Sequence, residues 1–219
     1  LTAVRTAAAG AVAAKYLARK DSKILALVGC GAQAPFQLEF LRALFKFREV
    51  RVWGPVASQK TAFVRSMKKT GEAMSATSDV QSCVENADII VTTTPSRKPL
   101  VKLSWVKPGA HINAIGADAP GKQELDPAIL KSAKVVVDDW RQAKHSGEVN
   151  VAVSKGLFTA EDIHAEIGEI IVGRQKGRTN IKEITVFDST GLAVQDAAVA
   201  QMVYKAAVKK KVGLKIKLF

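Results

Sequence analysis

Short apolar runs alternate with amphipathic segments along most of the chain. Short runs typical of strands span positions 24–28, 50–53, 73–76, 88–93, 111–115, 135–137 and 184–187, and the run 88–93 is rich in β-branched residues. Apolar residues recur at helical spacing over positions 1–18, 33–46, 57–69, 79–85, 161–172 and 193–208. Strands that alternate with helices are typical of a parallel sheet covered by helices on both faces. The pattern therefore predicts an α/β fold with a doubly wound, mostly parallel sheet.

Polar or glycine-rich segments follow most of the predicted strands. They lie at positions 29–33, 54–58, 92–95, 116–122, 138–142 and 188–191. Right-handed crossovers place the carboxyl ends of parallel strands along one edge of the sheet. Ligands of such sheets bind outside that edge, where the strand order reverses. We therefore expect these segments to supply the functional site.

A glycine motif follows the first predicted strand and precedes a predicted helix. Gly29 permits the tight turn, and Gly31 lets the backbone approach a pyrophosphate. Ala34 allows close packing of the helix on the sheet, and the helix start, with Ala32 and Gln33, offers N–H groups to phosphates. A second strand follows at the distance expected for a βαβ unit. The motif therefore predicts a Rossmann-type dinucleotide site at these five residues.

The second strand lacks the acidic residue that commonly ends it in NAD-specific proteins. Gly54 stands there instead, and no acidic residue follows until Glu72. Ser58, Gln59 and Lys60 suit the 2′-phosphate of NADP. The sequence favours NADP or dual use over strict NAD specificity, and both NAD and NADP stay open as cofactors.

The formal net charge of +13 raises the question of a nucleic-acid partner. The basic residues are spread along the chain, and aromatic residues that would stack on bases do not interleave with them. We therefore expect no nucleic-acid partner. The two cysteines, Cys30 and Cys83, lack metal-ligand spacing, and no apolar run is long enough to cross a bilayer. These features predict a reduced, cytoplasmic protein with no metal site and no membrane association.

Three threonines, Thr92, Thr93 and Thr94, end the predicted strand 88–93 at the cofactor edge. Their hydroxyl or backbone groups are candidates to bind the ribose or the pyrophosphate. The preference of threonine for strands is the alternative explanation, and it accounts for Thr92 better than for Thr94. Ile115 and Gly116 end the next strand and complete this set of expected cofactor contacts.

Seven motifs along the chain indicate a resemblance to a known protein family. They read LTAVRTAA (1–8), VGCGAQA (28–34), VTTTPSRKP (91–99), WVKPGAHINAIGADAPGKQELD (105–126), QAKHSGEVNVAVSKG (142–156), GEI (168–170) and ITVFDSTGLAVQDAAVA (184–200). In these motifs and in their order the chain resembles the ornithine cyclodeaminase and mu-crystallin family, and within it the archaeal alanine dehydrogenases. The resemblance implies a Rossmann domain that binds NAD(H) or NADP(H).

The resemblance also implies roles for individual residues. Asp118 matches the family aspartate that acts as catalytic acid and base, whereas the residue pattern alone favours a turn aspartate that caps its own loop. Arg5 matches the arginine that binds the substrate carboxylate, although a solvated helix arginine has the same local pattern. Ser189 and Thr190 match a turn over the nicotinamide, and the same turn is suited to capping the helix that follows.

The activity implied by the resemblance is NAD(P)-dependent oxidative deamination of a small L-amino acid, reversibly converting alanine to pyruvate and ammonia. The partner would then be a small amino acid or a 2-oxo acid. Two alternatives stay open: a lyase of the ornithine cyclodeaminase type, and a non-catalytic dinucleotide-binding module of the mu-crystallin type.

The same resemblance predicts how the chain divides. Residues 1–20 would form a linker helix of an incomplete substrate and dimerisation domain, residues 21–191 the NAD(P)-binding domain, and residues 192–219 a C-terminal helix that returns to the first domain. Family members begin with a further region of roughly a hundred residues, which we expect to precede the LTAVRTAA motif. The long helices 1–18 and 193–208 are expected to pair through apolar faces with that region or with a second copy in a homodimer.

Overall fold

The computed structural model describes residues 1–214 and residue 216, and it contains one sheet of eight parallel strands. The strands are β1 (Ile24–Val28), β2 (Glu49–Trp53), β3 (Ala73–Ala76), β4 (Ile89–Thr92), β5 (His111–Ala114), β6 (Lys134–Val137), β7 (Ile163–Glu166) and β8 (Thr185–Asp188). Their order is β3-β2-β1-β4-β5-β8-β6-β7, so the order reverses between β1 and β4. The predicted doubly wound α/β fold is confirmed.

Nine α-helices are described along the same stretch of chain. They are α1 (Thr2–Leu17), α2 (Ala34–Arg42), α3 (Ala57–Met67), α4 (Val80–Val84), α5 (Pro127–Ser132), α6 (Trp140–Ser146), α7 (Asn150–Ser154), α8 (Ile167–Ile171) and α9 (Ala193–Lys210). Single 3-10 turns lie at Leu103–Trp105 and Ala160–Asp162. In the described residues no helix has the length and apolar character needed to cross a membrane.

The central strands are covered on both faces, which explains their continuous apolar runs. In β1, Leu25 and Leu27 point to the side on which α2 packs with Leu38 and Leu41. The intervening Ala26 and Val28 join a second core on the other side, which includes residues of α4 and α5. Every residue of β1, β4, β5 and β8 is buried. The carboxyl ends of these strands are therefore held in fixed positions by packing on both faces.

The prediction of one helix over residues 161–172 is wrong. The segment is a 3-10 turn, the edge strand β7 and the short helix α8. Only Ala165 of β7 is buried, because the strand pairs with β6 alone, so its four residues carry little strand pattern. A capping box between Glu166 and Glu169 then starts α8. Helix α2 also ends at Arg42 rather than at residue 46, and the short helices α5, α6 and α7 were not predicted.

The two flanking helices differ from each other. The apolar face of α1, which we expected to pair with a further region or with a second copy, is largely covered within the chain, because Ala13, Ala14 and Leu17 are fully buried. They pack against the sheet and its covering helices. In contrast, α9 has no buried residue, and Met202 and Tyr204 are each 70% exposed. The predicted division into segments 1–20, 21–191 and 192–219 stays a prediction, and positions 215 and 217–219 of its last segment lie outside the described residues.

Candidate functional site

A cleft of about 360 Å³ opens between the ends of β1 and β4, where the strand order reverses. It is lined by Gly29, Cys30, Gly31, Trp53, Pro55, Gln59, Thr93, Thr94, Pro95, Ser96 and Leu100. Helix α2 begins at Ala34, three residues after the cleft residue Gly31, so the positive end of its dipole lies close to the cleft. This is the position at which doubly wound sheets bind ligands.

The two glycines of the motif serve different purposes. Gly29 adopts φ +115°, and a Cβ there would lie 3.0 Å from the carbonyl carbon of Thr93, so the chain itself requires glycine. A Cβ at Gly31 would meet nothing within 4 Å, so the protein has no steric need for glycine at this position. The open space above Gly31 is the kind that a pyrophosphate occupies. The cleft therefore fits a dinucleotide, with Ala34 buried below it as the first residue of α2.

Not all the predicted cofactor residues reach this cleft. Thr93 and Thr94 line it, whereas Thr92 is completely buried in the sheet. Ala32 and Ser58 are exposed and lie outside its lining, in which Gln59 takes part.

The end of β2 is free of acidic side chains. Cys30 Sγ lies 2.5 Å from where a Cβ on Gly54 would stand, and Lys60 Cγ lies 3.6 Å from it. Lys60 donates its Nζ to the carbonyl of Thr77 at 2.6 Å. Among the described residues, neither aspartate nor glutamate lines the cleft. The end of β2 thus has the stem of a lysine beside it and no carboxylate of the kind that binds ribose hydroxyls.

A second, smaller cavity of about 110 Å³ joins residues from four distant parts of the chain. It is lined by Thr2, Arg5, Thr6, Gln33, Ile115, Asp118, Ser189, Thr190 and Gly191. Six of these are predicted site residues: Arg5, Gln33, Ile115, Asp118, Ser189 and Thr190. Gln33 Oε1 and Ser189 Oγ are buried and have no hydrogen-bond partner within the described part of the chain. Such atoms are suited to bind a ligand, since burying them unpaired is costly.

The two charged residues of this cavity are held differently. Arg5, with its side chain 14% exposed, donates from Nε to Asp196 at 3.2 Å and from Nη1 to Gln195 at 3.4 Å. Asp118 is 64% exposed, and its carboxylate accepts from Lys122 Nζ at 2.5 Å. A cation and a carboxylate thus line the same small cavity.

Four buried carboxylates support the loops around this cavity. Asp138 and Asp188 open two of the segments that the sequence predicted to supply the site, whereas Glu124 and Glu148 were not predicted as site residues. Glu124 Oε1 accepts from the N–H and hydroxyl of Thr94, at 2.6 and 2.7 Å, and its Oε2 accepts from the N–H of Gly116 at 2.9 Å. Glu148 accepts from the N–H groups of Glu124 and Leu125, at 2.8 and 2.7 Å. These two glutamates tie the end of β4 to the end of β5.

The other two carboxylates belong to Asp188, the last residue of β8, and to Asp138, which directly follows β6. Asp138 accepts from the N–H groups of Thr190 and Gly191, at 2.7 and 2.8 Å. Asp188 accepts from the N–H of Val149 at 3.1 Å. The signal available in the sequence was the position of both aspartates at strand ends, and for Glu124 and Glu148 their place inside the GKQELD and SGEVN motifs.

Burial dominates the titration of these four groups. Loss of solvation raises the pKa of Glu124 and of Asp138, and it raises the pKa of Asp188 to about 7. The pKa of Glu148 rises well above its usual value, first through burial and then through the charges of Glu124 and Asp188. Within residues 1–214 and 216, no ion pair involves these four residues, and no group of three or more acidic, histidine or cysteine side chains is arranged to hold a metal ion.

His111 also lies near the centre of the sheet, where the sequence favours a core histidine over a catalytic one. It is completely buried between Thr185 Oγ1 and Asn113 Oδ1, each 2.9 Å from a ring nitrogen. Burial lowers its pKa to about 3, so the ring stays neutral. Another cavity, of about 480 Å³, is lined by Arg19 and Arg178, away from the predicted site residues. Arg178 already donates to the carbonyls of Leu17 and Ala110, so this cavity offers less free chemistry.

Comparison with known proteins gives matches over nearly the whole chain. The model of the ornithine cyclodeaminase/mu-crystallin family matches residues 1–211. Alanine dehydrogenase from Archaeoglobus fulgidus is 56% identical over 218 residues, which are 100% of this chain and 67% of the relative.

Solved structures of related enzymes match the fold of nearly the whole chain. An archaeal alanine dehydrogenase dimer with bound NAD superposes with a TM-score of 0.96 at 56% identity, covering 100% of this chain and 68% of the other. The Thermococcus litoralis Δ1-pyrroline-2-carboxylate reductase, in complex with NADH and L-proline, gives a TM-score of 0.94 at 36% identity over 98% of this chain and 67% of the other. The chain thus spans about two thirds of the length of the relatives it matches.

Proposed function

The chain belongs to the ornithine cyclodeaminase/mu-crystallin family, and from that premise we propose that it acts in the NAD(P)-dependent oxidative deamination of a small L-amino acid. Alanine would be converted reversibly to pyruvate and ammonia. The observation that carries the proposal is the cavity in which Arg5 and Asp118 meet beside the unpaired Gln33 Oε1 and Ser189 Oγ. A carboxylate-binding cation and a proton-transfer group are what such a reaction requires.

The proposed reaction divides the work between cofactor and chain. The nicotinamide, when bound, supplies the hydride acceptor. The guanidinium of Arg5 binds the substrate carboxylate, and Asp118 removes a proton from the substrate amine as its Cα–H bond breaks. Asp118 returns this proton to the imine nitrogen and then accepts a proton from the water that adds to the imine carbon. It passes that proton to the nitrogen, which leaves as ammonia when the new hydroxyl group gives its proton to Asp118 and becomes the carbonyl of the 2-oxo acid. Lys122 holds the Asp118 carboxylate within the loop.

For the cofactor, we propose NADP or dual use rather than strict NAD specificity. Gly54 leaves the end of β2 without a carboxylate for the ribose hydroxyls, and Lys60 lies next to it. A lysine is suited to a 2′-phosphate through its charge, whereas an acidic side chain would repel that phosphate. Residues Gly29 and Gly31 and the start of α2 would hold the pyrophosphate of either cofactor.

For the assembly, we propose a homodimer. Helix α9 exposes Val194, Met202, Tyr204 and Val208, and a groove of about 250 Å³ lies beside it, against α1 and α8. Exposed apolar surface of this kind is typical of an interface. The archaeal alanine dehydrogenase neighbour is itself described as a dimer. Light scattering tests the proposal, which a purely monomeric species at micromolar concentration would contradict.

A dinucleotide-binding module without catalysis is the second candidate. Residues at or after the ends of β1, β2 and β4 line the cleft that fits the cofactor, whereas the small cavity presents one arginine, Arg5, to a substrate carboxylate. The larger and more apolar cleft is the observation that favours cofactor binding without turnover.

One assay separates the two candidates. The chain is mixed with NADH or NADPH, pyruvate and ammonium, and nicotinamide absorbance is followed while cofactor binding is measured by fluorescence. Turnover in the parent, lost in Asp118→Asn but kept in the exposed control Asp21→Asn, supports the dehydrogenase. Tight binding without turnover supports the binding module, and absence of cofactor binding contradicts both.

A further inference from the structure

The loop between β5 and α5 presents Asp118, yet the aspartate itself has little to hold it. Its carboxylate is 64% exposed, and its side-chain partner is Lys122, which belongs to the same loop. A contact within a loop does not fix that loop relative to the sheet. The position of the carboxylate therefore depends on what anchors the loop backbone to the rest of the fold.

A single buried side chain provides the central anchor. Asn150, 5% exposed and the first residue of α7, accepts from the N–H of Gly121 at 2.9 Å through its Oδ1. Its Nδ2 donates to the carbonyl of Lys122 at 2.7 Å and to the carbonyl of Gly147 at 2.6 Å. Both donors and the acceptor of this amide are thus used, and two of the three bonds reach the Asp118 loop.

The base of the same loop is closed by Glu124, whose carboxylate binds the N–H of Gly116. Two further contacts reach the loop: Gln123 donates its N–H to the carbonyl of Ser96 at 3.0 Å, and the exposed Arg97 donates to the carbonyl of Pro120 at 3.2 Å. Of these contacts, those of Asn150 are the ones that a buried side chain makes to the backbone of Gly121 and Lys122 themselves. Because buried hydrogen bonds are costly to leave unmade, Asn150 restrains the backbone of the loop at Lys122, the residue that binds the Asp118 carboxylate.

We propose that Asn150 is a positioning residue for Asp118, which it holds in place through the backbone of Gly121 and Lys122. This inference rests on the proposed function, because it gives Asp118 the role of proton-transfer group. Asn150 itself does not line the cavity that contains Arg5 and Asp118, so it acts through the loop and not on the substrate.

A double-mutant cycle tests the proposal. Asn150→Ala removes all three bonds and is expected to lower kcat by about tenfold to a hundredfold, the range that displacement of a catalytic group by about 1 Å produces. The Kd of the dinucleotide is expected to stay within about twofold, because the cleft of Gly29 and Gly31 is built from other elements. Asn180→Ala, in an exposed asparagine at the opposite edge of the sheet, is the matched control and is expected to change neither value.

The decisive comparison is made in the Asp118→Asn background. If Asn150 acts through Asp118, the double variant is as slow as Asp118→Asn alone. Losses that multiply would overturn the proposal and assign Asn150 a general structural role. A kcat of Asn150→Ala equal to that of the parent, with the kcat of Asp118→Asn strongly reduced, would overturn the positioning role while leaving the proposed function intact. Full activity of Asp118→Asn would overturn both.

Hydrogen–deuterium exchange gives a readout independent of turnover. Peptides covering residues 116–124 are expected to exchange at least about tenfold faster in Asn150→Ala, because the N–H of Gly121 loses a buried acceptor. The β1–α2 peptides serve as the internal reference and are expected to be unchanged. If Asn150→Ala does not fold, Asn150→Ser replaces it in every measurement. Unchanged exchange of the loop in a folded variant would contradict the inference.

Discussion

The guanidinium group of Arg5 lies directly against the backbone of Gly191. The glycine has φ +79°, and a Cβ built on it would overlap Arg5 Nη1 and approach Cζ to 2.9 Å. The carboxylate of Asp138 holds this glycine in place by accepting a hydrogen bond from its N–H. The loop after β8 therefore sets the position of a side chain that comes from the other end of the chain.

Gly191→Ala is expected to push Arg5 out of the cavity and weaken binding of the 2-oxo acid. Because the 2-oxo acid loses a charged contact to its carboxylate, its KM is expected to rise by about tenfold or more, while the Kd of the dinucleotide stays within about twofold. Steady-state kinetics with varied 2-oxo acid give the KM, and fluorescence titration gives the Kd. Gly173→Ala is a matched control, since Gly173 has φ +77° but open space where a Cβ would lie. Equal effects of the two variants would attribute the loss to backbone strain instead.

Gly31→Ala is expected to fold normally and to bind the dinucleotide poorly. The added methyl group meets no protein atom within 4 Å, so unfolding temperature should not fall, whereas a pyrophosphate would meet it directly. We expect at least about tenfold weaker binding of NADH and NADPH by fluorescence titration. Gly168→Ala, which is equally unobstructed but lies in α8, is the control. Unchanged affinity in Gly31→Ala would place the phosphates elsewhere.

Gly54→Asp is expected to shift cofactor preference toward NAD. The new carboxylate binds ribose hydroxyls and repels a 2′-phosphate. Because Cys30 Sγ occupies the space of the new Cβ, the substitution is made together with Cys30→Ala. The ratio of the NADPH and NADH dissociation constants should change by at least about tenfold relative to Cys30→Ala alone. An unchanged ratio of the two dissociation constants would show that the residue at position 54 does not contact the ribose or its 2′-phosphate.

Asp188 is expected to make stability depend on pH. Burial raises its pKa from 3.8 to about 7, so the folded chain holds a proton that the unfolded chain releases in this window. The free energy of unfolding therefore falls as pH rises from 3.8 toward 7, by at most about 1.4 kcal/mol per pH unit. Asp188→Asn removes this loss, so the variant should gain stability relative to the parent as pH rises.

Urea unfolding of parent and Asp188→Asn across that pH range measures the difference. The buried His111 acts in the opposite direction, because its pKa is lowered from 6.5 to about 3. It is present in both proteins, so its contribution cancels in the comparison. The exposed Asp21→Asn serves as a charge-matched control. Parallel curves for Asp188→Asn and the parent would contradict the assigned protonation.

Much of the cofactor half of the site was predictable from the sequence. The apolar run of β1, the turn at Gly29 and the start of α2 at Ala34 depend on neighbours in the chain, and each has its own local signal. The family resemblance supplied Arg5 and Asp118, and the structure places both in one cavity. Thr92 and Ser58 were predicted to contact the cofactor but do not line the cleft. A strand end indicates which residues lie near the cofactor but not which way each side chain points.

What the sequence determined by itself is therefore the parallel α/β order, the glycine loop and the absence of an acid at the end of β2. The tertiary structure alone decided that β7 is a strand, that Asn150 and Glu124 grip the loop of Asp118, and that Gly191 positions Arg5. Helices, strands and turns follow from apolar spacing and turn chemistry within a few residues, so their signals are local. These contacts could not be predicted in the same way, because they join segments that become neighbours only through the order of strands in the sheet.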